Sequence, residues 1–395
     1  MLRKIVPSSV AQQLINAGLG ILKLRVLYDV LPAMEVGKFA LYTSMFYIVH
    51  FLFDSTRKTI LSQVNSENAV MGNPKVNRMI KRDTITLVTI AVLFYFFNLV
   101  SPQNFSQEDF YCLISILLTT LLFSFANSIS SLYSIRFGFH MLSILTGFSH
   151  ILAFPLFVFC ADTGSIPLLI FVNFIGNFLP GLLVLRKVTG VIRRDAFYEV
   201  VGFRSSPNWF LGIQLAETSA NSLNASLVYS RLGDVATGEY LLYSKFALLY
   251  DFIPISLIPI VVSKRNHKNS NDKLLTFIVV ANGVLISLII FGIFGPTITV
   301  LSAGNITPSL VQLCPFMFGG FVISATSLYI QGAVRDEIIP FRLKASMITT
   351  MVNILATFIF LPIVGVSATY AMTGLTTGLY ALLLSRKIKQ LSNGN

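Results

Sequence analysis

The segment "GEYLLYSKFALLYD", residues 238–251, resembles an earlier segment of the same chain, "GKFALYTSMF" at residues 37–46. The distance between them along the chain is close to half of its 395 residues. This spacing predicts an internal repeat, in which each half of the chain carries one copy of the same element. The matching residues are Gly37 with Gly238, Phe39 with Tyr240, Leu41 with Leu242, Tyr42 with Tyr243, and Thr43 with Ser244.

The composition places both copies in a membrane protein. Hydrophobic residues make up 54% of the chain and charged residues only 12%, against about 25% charged in soluble domains. Apolar runs of about 20 residues recur along the chain, and each is long enough to cross the hydrocarbon core as a helix. We therefore predict an all-α integral membrane protein with about twelve spans. They run over 5–27, 36–58, 83–101, 110–134, 139–161, 166–186, 207–229, 236–262, 274–295, 308–331, 343–363 and 365–386.

The basic residues predict the orientation of these spans. All but five of the 29 Lys and Arg fall in the loops on one side of the predicted spans; the five are Lys23, Arg25, Lys38, Arg231 and Lys245. By the positive-inside rule, both termini and the basic loops are cytoplasmic. The net charge of +12 is thus explained by topology, which argues against nucleic acid as a partner.

The longest inward connection divides the chain into two halves. We predict an N-terminal six-helix bundle over 1–186, a cytoplasmic linker over 187–206, and a C-terminal six-helix bundle over 207–395. Because each half has an even number of spans, both halves start on the same side of the membrane. Such a parallel repeat is typical of secondary transporters, with the substrate site between the halves.

Polar residues form stripes on several predicted spans. At helical spacing they lie on one face and either line a cavity or bind neighbouring helices; for the amides the sequence leaves both open. For the charged Lys23, Glu217 and Lys245 we favour a water-filled cavity, because an ion at mid-bilayer is costly, although Lys23 is also placed to snorkel outward. The candidates are Gln12, Asn16 and Lys23 on span one, His50 and Asp54 on span two, and Glu217, Asn221 and Asn224 on span seven.

Lys245 lies on span eight together with Asp251. Six residues apart, the two point to different faces of a helix and do not pair. We consider Glu217 as the partner of Lys245, in an arrangement that leaves the ammonium partly free for an anionic ligand. The sequence has no phosphate-binding loop, zinc motif or nucleophile elbow, and its three cysteines are far apart. We therefore expect no cofactor, no metal and no enzyme activity.

Three segments carry a resemblance to a known family: "LRVLYDVLPAMEVGKFALYTSMF" (24–46), "SRLGDVATGEYLLYSKFALLYDFIPISLIPIVVSK" (230–264) and "IFLPIVGVSATYAMTGLTTGLY" (359–380). Together they resemble the MOP (multidrug/oligosaccharidyl-lipid/polysaccharide) exporter superfamily, specifically its polysaccharide repeat-unit flippases of the O-antigen (Wzx) type. The similarity covers essentially the whole chain. It implies two pseudo-symmetric six-helix bundles around a V-shaped central cavity, in the bacterial inner membrane.

The resemblance also implies a substrate, a site and partners. The substrate would be an undecaprenyl-diphosphate-linked oligosaccharide, moved from the inner to the outer leaflet by alternating access. Lys23, Arg25 and Lys245 would form a cationic lumen for the diphosphate, and H+ or Na+ would serve as coupling ion. Membrane lipids, a polysaccharide polymerase and a chain-length regulator are the other expected partners. Span seven of the family often carries an acid near the position of Asn224, and here Glu217 lies two turns earlier, so the coupling acid is open.

Three alternatives remain at this point. Multidrug efflux within the same superfamily is disfavoured because Lys23 and Arg25 would repel a cationic drug. A membrane polysaccharide polymerase or glycosyltransferase is disfavoured because the predicted outward loops are too short to carry catalytic residues. A flippase of lipid-linked peptidoglycan precursor is the nearest competitor, ranked lower because such relatives commonly have fourteen spans and a more basic lumen.

Overall fold

The computed structural model describes residues 2–63, 84–85, 88–89, 106–137, 139–188, 223–264, 272–304, 306, 309–331 and 338–393. Within these ranges the regular secondary structure is entirely helical. Most of the predicted third span and most of the seventh lie outside the described residues. The helices are α1 (Leu2–Val30), α2 (Ala33–Gln63), α3 (Gln107–Phe137), α4 (Phe139–Asp162), α5 (Ile166–Asn173), α6 (Ile175–Val188), α7 (223–232), α8 (Asp234–Lys264), α9 (Asp272–Leu301), α10 (Leu310–Gln331), α11 (Ile339–Val364) and α12 (Ala368–Asn393).

The turn before α2 and the turn before α8 occupy equivalent places in the repeat. Pro32 precedes α2; it lacks a backbone N–H and therefore starts a new helix instead of continuing α1. Gly233 precedes α8 with a φ of 84°, a left-handed conformation that ends α7. Its backbone N–H donates to the carbonyl of Tyr229 at 3.0 Å. The two copies thus begin their second helix at equivalent positions, with different residues and different backbone conformations at the boundary.

Several helices have the length and composition of membrane spans. Four stretches qualify individually: Gln107–Ser134, His140–Asp162, Leu310–Ser327 and Pro340–Val364. Two bent pairs qualify when each is counted as one span. One pair is α5 with α6, bent by 49°; the other divides α9 by 65° near Pro296, a residue that removes a helix hydrogen bond.

The surface of these helices is apolar and part of their interior is polar. Ile363 is 72% exposed and Phe159 is 68% exposed, whereas Thr120 and Ser149 are fully buried. This distribution suits a lipid environment, where polar groups must find partners inside the protein. The chain is a multi-pass membrane protein, and the predicted all-α membrane fold is confirmed.

The helices form two compact units. The first combines Met1–Ser44 with Trp209–Asn395, and the second is Met45–Asn208. In the first, α10 and α12 pack so closely that a β-carbon at Gly374 would lie 2.6 Å from the Cα of Gly319. In the second, α3 packs on α6 around a core that contains Ile129, Leu132, Tyr133, Val184 and Val188. The predicted division into six-helix halves stays a prediction, because its linker lies outside the described residues.

Candidate functional site

The two copies of the repeat contact each other within the first unit. A β-carbon at Gly37 would overlap the backbone carbonyl of Asp234. At Gly238, the added β-carbon would lie 3.5 Å from the carbonyl oxygen of Ala33. Each glycine therefore packs against the backbone four residues before its counterpart, which is the contact expected of a two-fold arrangement. The repeated glycines are explained by this close approach of α2 and α8.

Tyr28 lies beside this crossing, near the end of α1. Its ring is only 4% exposed. Its hydroxyl is 3.0 Å from the position of a β-carbon at Gly238, and it has no hydrogen-bond partner within the described residues. The close packing of the copies thus encloses a polar group from α1 against the start of α8.

Lys23 and Lys245 come together further along the same contact. Lys23 is 8% exposed on α1, and Lys245 acts on it electrostatically from α8. The Cδ of Lys245 is 3.7 Å from the position of a β-carbon at Gly20, one turn before Lys23. Two ammonium groups in these surroundings repel each other, and an anion between them would relieve that repulsion.

Lys245 is half-buried and forms no ion pair with any acidic side chain in the part of the chain that is described. The predicted partner Glu217 lies outside the described residues. For Asp251 the structure describes only the backbone, which is helical. The assignment of Lys23 and Lys245 to an anion site stays a prediction, and the structure brings the two lysines together.

Arg25, the third predicted cation, has protein partners. Its guanidinium forms an ion pair of 2.7 Å with Asp29, one turn later on α1, and donates to the backbone carbonyl of Val300. Both side chains of the pair are more than one-third exposed. Arg25 is thus held toward α9, and a substrate anion would compete with these acceptors.

Two amides continue the face of α1 that carries Lys23. Gln12 and Asn16 are both half-buried, and the side-chain oxygen of Asn16 is buried without a hydrogen-bond partner. The spacing of three and four residues through Gly20 to Lys23 places the set on one stripe, as predicted.

Asn224 belongs to a separate, neutral cluster. Its Nδ2 donates to the Thr373 hydroxyl at 3.2 Å, and Asn353 Nδ2 donates to the same oxygen at 3.4 Å. The Thr357 hydroxyl in turn donates to Asn353 Oδ1 at 3.4 Å. All four side chains are buried, and Asn224 Oδ1 has no partner. This network binds α7, α11 and α12 together without a formal charge. Asn221 lies outside the described residues.

His50 lies in the second unit, within an aromatic cluster. Its ring stacks on Phe46 with 5.6 Å between centroids and 5° between planes, and it meets Phe123 edge-on at 4.2 Å. Asp54 follows one turn later on α2, where only the backbone is described. The environment of His50 is mainly that of a packed core residue.

Sequence reasoning missed the partners of these residues. Asn353 and Thr357 are one turn apart on span eleven, and Thr369, Thr373 and Thr376 form a stripe on span twelve. Read as polar stripes, these spacings would have indicated the neutral cluster. Tyr28 had no such signal, because aromatic residues are common at the ends of spans.

The described residues contain no group of three or more His, Cys, Asp or Glu that could hold a metal ion. Cys112 and Cys160 are buried and Cys314 is exposed, each as a free thiol.

No family model matches the sequence, and no curated protein matches it either. Solved structures do match the fold. The structure described as "Lipid II flippase MurJ, inward closed conformation" has a TM-score of 0.69 at 14% identity, covering 97% of this chain and 87% of its own. The fold is that of a known transporter.

Two multidrug transporters match over similar lengths. The MATE multidrug transporter DinF-BH has a TM-score of 0.61 at 16% identity, covering 98% of this chain and 95% of its own. A mutant of the Vibrio cholerae MATE transporter VcmN has a TM-score of 0.61 at 13% identity, covering 98% of this chain and 96% of its own. At such identities the likeness concerns the fold alone.

Proposed function

We propose that this chain is a flippase that moves a lipid-linked oligosaccharide across the cytoplasmic membrane of a bacterium by alternating access. The observation that carries the proposal is the proximity of Lys23 and Lys245, two basic side chains on neighbouring helices of a transporter fold. The substrate we assign is a polysaccharide repeat unit on undecaprenyl diphosphate. Both termini are cytoplasmic in this proposal, and a polymerase and a chain-length regulator act next in the same assembly.

A diphosphate suits this pair of lysines for electrostatic reasons. A unit-charge pair at about 4 Å is worth roughly 4 kcal/mol at an effective dielectric near 20, before desolvation is subtracted. An anion between the two ammonium groups gains this attraction twice, which offsets their mutual repulsion. Because lysine acts as a point charge, it holds a diphosphate without fixing the orientation of the attached glycan.

Multidrug efflux is the second candidate, since two of the similar folds are multidrug transporters. The same two lysines weigh against it, because a cationic drug would be repelled where a diphosphate is attracted. A flippase of lipid-linked peptidoglycan precursor is the third, and the likeness to the lipid II flippase fold favours it. It shares the lipid-linked substrate class, and the glycan distinguishes it from our proposal. In this proposal the protein acts as a transporter and not as an enzyme.

Deletion of the gene tests the proposal. We expect one surface polysaccharide to be lost, nucleotide-sugar synthesis to continue, and lipid-linked repeat units to accumulate on the inner leaflet. Dye export should be unchanged. Normal outer-leaflet units in a strain without another flippase would refute the proposal, and accumulation of peptidoglycan precursor instead would favour the third candidate.

Reporter fusions test the proposed orientation. Fusions at Ser101 and Gly304 should report the external side, and a fusion at Asn269 the internal side, because the basic loops are placed inside. An external signal at Asn269 would overturn the topology.

A further inference from the structure

Glu239 is an acidic side chain that the proposed mechanism does not use. It lies in the second turn of α8, directly after Gly238, and is half-buried. Gln312 of α10 donates from its Nε2 to Glu239 Oε1 at 3.3 Å. The Tyr243 hydroxyl, one turn further along α8, interacts with the same carboxyl group. The carboxyl group therefore lies where α8 meets α10, next to the glycine contact between the two copies.

Within the described ranges, the side chains that we find next to Glu239 are uncharged. Tyr28 faces it from α1, Tyr243 from α8 itself and Gln312 from α10. Tyr370 of α12 reaches the same turn, where its hydroxyl donates to the backbone carbonyl of Tyr240 at 3.4 Å. Among the described residues, no basic side chain forms an ion pair with Glu239. The equivalent position in the first copy is Lys38, so the repeat itself does not require an acid here.

A carboxyl group in such surroundings without a cation either takes up a proton or needs several hydrogen-bond donors. One hydrogen-bond donor is available on α1. The Tyr28 hydroxyl is buried without a partner and lies within electrostatic reach of Glu239. Because Tyr28 belongs to α1 and Glu239 to α8, a hydrogen bond between them would join the two helices that carry Lys23 and Lys245.

We propose that Glu239 is a proton-binding site that controls the contact between α1 and α8. The ionised carboxylate accepts the hydrogen bond from Gln312 and, in the proposed locked state, a second one from the nearby Tyr28 hydroxyl, which holds the two helices together. Proton uptake removes the negative charge, weakens both bonds and releases α1 from α8. This inference rests on the proposed function in one respect, namely that α1 and α8 separate during transport.

Carbodiimide labelling of the full-length protein in lipid vesicles tests proton binding directly, because dicyclohexylcarbodiimide reacts with protonated carboxyl groups in apolar surroundings. The label is located by mass spectrometry across a pH series, without any substrate. We expect labelling of Glu239 to rise as the pH falls, and none in Glu239→Gln. Glu108, exposed at the start of α3, is the internal control and should label weakly.

A second variant, Tyr28→Phe, tests the partner. It removes one hydrogen bond to a charged group, worth roughly a factor of ten in proton affinity. The midpoint for labelling of Glu239 should therefore move to higher pH by about one unit. No label on Glu239 at any pH, a pH profile equal to that of Glu108, or an unchanged midpoint in Tyr28→Phe would overturn the inference.

Hydrogen exchange then measures the contact between α1 and α8. After correction for the intrinsic pH dependence of exchange, amides of 24–46 and 230–244 should exchange faster at low pH in the native protein. They should exchange fast at every pH in Glu239→Gln, while amides of α3 stay unchanged in both. Equal protection in the native protein and the variant would refute the coupling. None of these measurements uses a substrate. The proposed function can therefore fail while this inference holds, and this inference can fail while the proposed function holds.

Discussion

The two copies of the repeated element differ most in where they carry charge. Lys23 and Asn224 occupy equivalent positions, just as Gly37 and Gly238 do. Lys23 approaches Lys245 on α8, whereas Asn224 donates a hydrogen bond to Thr373 inside a neutral network. The second copy shows that a neutral side chain can fill this place in the fold. The charge in the first copy is therefore not required by packing, which points to a role in binding.

The glycines of the two copies show the opposite behaviour. Both are retained, because each packs against the backbone of the other copy. The residues that this contact requires are thus the same in both copies, whereas positions outside it, such as Lys23 and Asn224, differ.

Lys245→Ala should produce the largest loss of function among these variants. It removes the charge by which the second copy differs from the first at this position. We expect normal insertion in the membrane and loss of glycan export, since one of two cations for the diphosphate is removed. Lys245→Arg should retain part of the export. Export is measured as surface glycan at matched protein levels.

Ser44 is the matched control for that experiment, since it is the counterpart of Lys245 in the first copy, and Ser44→Ala should export normally. The double variant Lys245→Glu with Glu217→Lys should stay inactive if the position of the cation matters. Normal glycan display by Lys245→Ala would show that Lys245 is not part of the substrate site. Recovery of export in the double variant would show that Lys245 and Glu217 form a structural ion pair.

Gly37→Ala should destabilise the protein more than Gly238→Ala. The new methyl group at Gly37 overlaps the Asp234 carbonyl, whereas the nearest atom at Gly238 is the Tyr28 hydroxyl, the end of a side chain. Overpacking of this kind costs about 1–3 kcal/mol, and we expect Gly37→Ala at the upper end. Thermal melting in detergent measures the difference.

Gly18→Ala is the control, because no atom lies within 4 Å of its β-carbon position. It should be neutral or stabilise α1 by about 0.5–1 kcal/mol. Equal melting temperatures for the Gly37 and Gly238 variants would contradict the difference between the two glycine contacts.

Thr373→Val tests the neutral network of the second copy. The change leaves the buried amides of Asn224 and Asn353 without their shared acceptor, at a cost of about 1–3 kcal/mol. Thr376→Val should cost little, because that hydroxyl donates only to carbonyls of its own helix. We expect export to follow protein amount in both variants. Loss of export by a fully stable Thr373→Val protein would place the network in the transport mechanism.

Arg25→Ala should have the smallest effect of the set. The exposed Arg25–Asp29 pair is an i,i+4 contact, worth about 0.3–0.5 kcal/mol. Export should fall less than in Lys23→Ala, because Arg25 already has acceptors in Asp29 and Val300. A larger export loss for Arg25→Ala than for Lys23→Ala would reverse the ranking of the two cations.

Much of the fold could be predicted from sequence because membrane helices are determined locally. Lipid provides no hydrogen bonds, so an apolar run of sufficient length forms a helix whatever its neighbours. The turns at Pro32 and Gly233 follow from the backbone chemistry of those two residues. The candidate site was predicted only in part, since Lys23 and Lys245 stood out as charges while Tyr28 and Thr373 did not.

By itself the sequence determined the membrane class, the helices and the repeat, since each depends on composition and spacing along one chain. Only the tertiary structure decided which residues meet. Lys23 and Lys245 are on different helices, and their approach depends on the packing of α1 on α8, where Gly20 lies next to the side chain of Lys245. The contact of Arg25 with Val300 was likewise decided by the tertiary structure, whereas the Arg25–Asp29 pair is local to α1, four residues apart on one helix.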